Sequence, residues 1–93
     1  MRNSGNNIYL VEYLNSTFTK DYLKLSTSAK AIIKKAIDER LTVAPLSFGK
    51  QLSHALSGYR SLRVGRYRII YDIDEASKKV VIHSIDHRKD AYN

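Results

Sequence analysis

Four arginines, Arg60, Arg63, Arg66 and Arg68, fall within nine residues, and Lys50 stands ten positions before the first of them. No Asp or Glu occurs between Leu41 and Tyr71. The guanidinium stays charged at any working pH, and its flat fork matches phosphate oxygens. The residues around these arginines read as strands, where a charge needs a partner. An acid-free row of arginines on a rigid sheet therefore points to an anionic ligand, a nucleic-acid backbone foremost. Two plainer readings stand beside this one. The row is a solvated face, or Arg68 forms an ion pair with Asp72 or Asp86; the acid-free surroundings favour phosphate.

The charge is clustered. The formal net charge is +7, and residues 41–71 supply five basic and no acidic side chains. Residues 1–40 hold seven basic and four acidic groups, and residues 72–93 hold four and five. A concentrated field steers and holds a polyanion better than a diffuse one.

Ninety-three residues make one domain, able to bury about 60–70% of its unfolded surface without a staple. The chain has no Cys, which excludes disulfides, a thiol nucleophile and Cys-ligated metal. No apolar run approaches the ~20 residues of a membrane helix. Residues 1–7 are polar, without the apolar stretch of a signal peptide, and read as a flexible tail; residues 8–93 form the domain. A cytoplasmic protein with no membrane partner is expected.

The elements that position these groups follow from periodicity. Ile8 to Tyr13 is β-branched and aromatic and predicts a strand. Phe18, Tyr22, Leu23 and Leu25 give a short helix over 17–25, with Asn15, Ser16 and Thr17 as cap candidates. Ala29, Ile32, Ile33, Ala36, Ile37 and Leu41 predict a second helix over 27–42, with lysines on its solvated face. Pro45 ends the helical region, and 46–57 reads as loop with at most a short turn. Residues 59–64, 66–73 and 79–86 read as strands. The third of the four strands is apolar on both faces and should be central. The order β-α-α-β-β-β predicts an α+β domain: a helical hairpin packed on one face of a largely antiparallel four-stranded sheet.

The segment Leu56 to Tyr71, with Gly-x-x-x-Leu-Arg-Val-Gly-x-Tyr-Arg-x-x-Tyr from Gly58, and the ending His87-Arg88-Lys89-Asp90-Ala91-Tyr92 resemble the RelE/ParE toxin superfamily. The resemblance covers nearly the whole chain, and its specific part is the last 38 residues. It implies the toxin of a type II toxin–antitoxin pair. The RelE branch cuts mRNA in the ribosomal A site; the ParE branch poisons DNA gyrase without cutting. By the resemblance, Arg68 and Arg88 supply positive charge, Tyr92 transfers a proton, and His87 is the competing proton carrier. Two departures stand out: Ser61 where relatives carry a lysine, and Arg66 where many carry an acid. Arg60, Arg63, Arg66 and Lys50 are expected to bind RNA backbone.

Metal-free RNA cleavage needs a base for the 2′-OH, cations for the phosphorane and an acid for the leaving oxygen. No metal-spaced carboxylate or histidine group is evident, and no cofactor is expected. Tyr67 and Tyr71 read as packing residues, and His83 as a structural histidine. His54 has no assignable role. The resemblance implies as partners a cognate antitoxin, the ribosome and mRNA. The isolated toxin is expected to be a monomer and its antitoxin complex a hetero-oligomer. The alternatives are a ParE-type gyrase toxin and a degenerate nucleic-acid-binding domain.

Overall fold

The computed structural model describes residues 8–87. Leu10–Tyr13 (β1), Lys50–Gln51 (β2), Arg60–Val64 (β3), Tyr67–Asp74 (β4) and Lys79–His87 (β5) build one sheet in the order β1-β5-β4-β3-β2. The β1–β5 pair is parallel and all others are antiparallel. β4 lies in the middle, as its two-sided apolar pattern predicts.

The expected four strands are thus corrected to five. The sequence pattern predicts loop at 50–51, because two residues carry no periodicity. Their strand state comes from the partner: β3 leaves an unpaired backbone edge, and Lys50 and Gln51 pair with Ser61 and Arg60. Leu52 N–H extends the contact by donating to Tyr59 C=O (2.9 Å). Pro45 also does more than end a helix: it opens the single turn Pro45–Phe48 (α2), where its missing N–H costs nothing.

The main helix begins where Ser26, in extended backbone, accepts from Ala29 N–H through Oγ (3.2 Å). It runs over Thr27–Ala36 (α1) and opens into a wider π turn over Ile37–Leu41, with Thr42 N–H donating to Ile37 C=O. Ile33, Ile37 and Leu41 face the sheet and meet Ile69, Tyr71, Val80 and Ile82. Full burial of each aliphatic side chain stabilises the fold by roughly 1.5–3 kcal/mol before entropy is counted.

A short π-helix, Thr17–Tyr22, ends three residues earlier than the periodicity suggests. It has a specific task. β1 ends opposite Ile82, so β5 beyond that point has an open edge. Thr17 Oγ1 donates to His83 C=O, and Asp21 Oδ2 accepts from Ile85 N–H (2.9 Å), which satisfies it.

Candidate nucleic-acid interface

Strand alternation sorts the basic residues onto two faces. Register pairs Arg60 with Tyr71, Leu62 with Ile69 and Val64 with Tyr67, and all six face the helix. The intervening residues form the outer face. There one row crosses β5, β4 and β3 as Asp86, Arg68 and Arg63, and the next crosses to β2 as Ser84, Ile70, Ser61 and Lys50.

Arg63 and Arg68 are therefore direct cross-strand partners. Side chains so placed have Cβ atoms about 4.5–5.5 Å apart, and like charges there destabilise a sheet. An anion bridging both guanidiniums would remove that cost. Asp86, across from Arg68 on its other side, offsets part of it.

β2 pairs with β3 only at Ser61 and Arg60, and a groove of about 550 Å³ lies beside this short pairing and the following Leu62 and Arg63. Arg40, Lys50, Arg63 and Arg68 line it together with Phe48, Leu52 and Ser61, and no carboxylate among the described residues contributes. Arg40 was missed by sequence reasoning. It comes from the π turn that closes the main helix. Its only sequence signal is that it is the last charged residue before the acid-free stretch.

Arg60 is placed elsewhere. Its Nη2 donates to Leu46 C=O (2.9 Å) and Gly49 C=O (2.6 Å) on the helix side. Beside it, the buried Tyr71 hydroxyl donates to Pro45 C=O (2.7 Å). Burial pushes the Tyr71 phenol up, against a smaller downward pull from Arg60. Gly49 packs onto this hydroxyl: a Cβ there would collide with the Tyr71 oxygen and lie 2.8 Å from its Cζ. Tyr71, Arg60 and Gly49 thus clamp α2 and the start of β2 to the sheet, and so hold Lys50 at the groove.

Arg66 stands at the tip of the β3–β4 hairpin. Gly65 at φ 58 and a residue of negative φ after it match the II′ turn, in which glycine takes the first central position. Arg66 is exposed and does not line the groove. His87 ends β5 opposite Tyr67, on the helix side, with its ring edge-on to that tyrosine at 5.1 Å. Arg88 and Tyr92 lie outside the described residues. The structure therefore brings Lys50, Arg63 and Arg68 together, adds Arg40, and sets Arg60, Arg66 and His87 apart.

His83 is the extra residue of a bulge in β5, where the register shifts between Ile70 and Tyr71. Its Nε2 lies 3.3 Å from Asp72 Oδ1, ion-pair distance without hydrogen-bond alignment, and its ring meets Tyr59 edge-on at 4.7 Å.

Residues 13–92 match the family model described as the ParE toxin of type II toxin–antitoxin systems, parDE. The chain belongs to this family, within the RelE/ParE toxin superfamily. Toxin RelG of Mycobacterium tuberculosis is 37% identical over 84 residues, covering 90% of this chain and 95% of RelG. Among solved structures, the RelBE2 toxin–antitoxin complex of the same organism matches with a TM-score of 0.79 at 36% identity, over 86% of this chain and 91% of the matched one. The isolated Escherichia coli RelE toxin matches with a TM-score of 0.70 at 16% identity, over 85% and 83%, a likeness of fold. The chain is a type II toxin of this superfamily with the expected α+β architecture.

Proposed function

We propose that this toxin is a ribosome-dependent endoribonuclease that cuts translated mRNA by attack of a 2′-OH on the adjacent phosphate. The observation that carries this reading is the acid-free groove in which Arg40, Lys50, Arg63 and Arg68 converge. Preorganised cations are what a phosphorane requires, and their mutual repulsion is relieved as negative charge develops between them. Arg68 sits at the centre of the outer face and is the primary donor to the scissile phosphate; Arg88 joins it, by the family resemblance. Arg63, Lys50 and Arg40 hold the flanking backbone, which compensates for Ser61. Tyr92 carries the proton transfer. The helix-side position of His87 counts against the competing assignment. The ribosome supplies the alignment of the 2′-OH with the phosphate. A cognate antitoxin neutralises the toxin by covering the basic face with an acidic, partly helical segment in a hetero-oligomer; the RelBE2 match is itself a toxin–antitoxin complex.

The second reading is a gyrase-directed toxin. The match to a ParE family model and the serine at position 61 favour it. Expression of the toxin alone, with primer extension on an mRNA and on the same mRNA lacking its start codon, separates the two. Cuts confined to the translated message support cleavage. Intact mRNA together with gyrase-dependent DNA breaks overturns it.

A further inference from the structure

Arg68 lines two hollows. The cationic groove lies on one side; on the other is a hollow of about 280 Å³ with different chemistry. Its floor is Ile70, only 8% exposed although it points away from the helices. Tyr59 and His83 line it with rings in edge-to-face contact, and Leu56, 47% exposed, stands at the rim. Ser84 and Asp86 supply the polar groups.

We propose that this hollow seats the nucleobase attached to the phosphate held at Arg68, and that Asp86 selects for bases bearing an amino group. The inference rests on the reading of the cationic groove as a phosphate site. The division of chemistry suits one nucleotide: cations for the phosphate, then an apolar, aromatic-lined slot for a flat ring, with a few polar atoms at its edge. Aromatic side chains bind bases through stacking that any base can provide, so Tyr59 and His83 supply affinity and little selectivity. Asp86 supplies the selectivity. An ionised carboxylate only accepts hydrogen bonds. Ser84 Oγ donates to Asp86 Oδ2 (3.4 Å), and the two oxygens of a carboxylate carry about four acceptor sites, enough to take a ligand donor as well. Guanine, adenine and cytosine each offer an exocyclic amino group. Uracil flanks its one ring N–H with two carbonyl oxygens, which the carboxylate repels.

The test is an NMR titration of the isotopically labelled full chain with inorganic phosphate and with the four nucleoside 5′-monophosphates. Phosphate should shift the amides of Lys50, Arg63 and Arg68 and leave Tyr59, His83 and Ser84 in place. GMP, AMP and CMP should shift both sets, and UMP should bind most weakly. Tyr59→Leu should weaken nucleotide binding roughly 5- to 100-fold and leave phosphate binding unchanged. Asp86→Asn, close in shape, should bring UMP to within about twofold of CMP, since an amide both donates and accepts. Shifts at the arginines with Tyr59 and His83 silent for every nucleotide would overturn the base site and leave the phosphate site standing. Silence at both sets would overturn the phosphate site as well.

Discussion

Gly49→Ala is a single methyl group placed where the fold has no room for it. The new Cβ would overlap the Tyr71 hydroxyl and approach Cζ to 2.8 Å. Tyr71 is fully buried, and its hydroxyl is held by Pro45 C=O at 2.7 Å. Relief therefore requires moving the ring, or moving the 45–51 segment off the sheet. Overpacking a dense core costs about 1–3 kcal/mol. Losing a buried hydrogen bond and leaving its acceptor unsatisfied costs about 1–3 kcal/mol more. The loss expected from these two costs together is about 2–6 kcal/mol in urea denaturation. Tyr71→Phe removes the nearest atom of the collision, so the two substitutions should couple: Gly49→Ala should cost less, by about 1 kcal/mol or more, when Tyr71→Phe is already present. Backbone amide shifts should show β2 released, with Lys50 lost from the groove. A Gly49→Ala protein within about 0.5 kcal/mol of the parent, the range of an ordinary surface change, or strict additivity with Tyr71→Phe, would refute the clamp.

Arg63→Ala should weaken RNA binding equally across sequences and reduce the log K against log salt slope by about 1, measured by fluorescence anisotropy, since one phosphate contact is removed. Tyr92→Phe should reduce cleavage with ribosome binding nearly unchanged, and His87→Ala should retain most activity; the reverse pattern in a ribosome-bound cleavage assay would move the proton-transfer role to His87. Burial, with smaller contributions from Tyr22 and Asp38, pushes the Tyr13 phenol from 10.0 up to about 12. Its neutral form is the one the fold favours, so stability should be full below pH 10 and fall as pH rises through 12. In chemical denaturation against pH, that loss should be shallower in Tyr13→Phe.

The helical and strand periods made most of the architecture legible. Ala29, Ile33, Ala36, Ile37 and Leu41 of the helical stripe and the two-sided apolar pattern of Tyr67 to Ile73 lie where periodicity predicts them, while Ile32, at the margin of the stripe, is 51% exposed. β2 was not legible, because its strand character comes from the exposed edge of β3 and not from Lys50 and Gln51 themselves. Alternation places Arg63 and Arg68 on one face and Arg60 on the other, so the commitment of Arg60 to two carbonyls was partly readable. Its capture depends on where α2 leaves those carbonyls, which no local pattern encodes. Arg40 was invisible for the same reason: it reaches the groove through the fold, 23 residues in sequence from Arg63. The strand pattern predicts a structural role for His83, but its bulge and its contact with Tyr59 arise from a register shift that simple alternation hides.

The deciding measurement is single-turnover cleavage of mRNA on programmed ribosomes by the parent toxin and by Arg68→Ala. Removing a preorganised donor to a developing oxyanion costs on the order of 100- to 1000-fold in rate. Cleavage by the parent that falls by that factor in Arg68→Ala, with ribosome binding retained, is the expected result. Undiminished cutting by Arg68→Ala, or no cutting by the parent at any ribosome concentration, would contradict the assignment of the groove to phosphate chemistry.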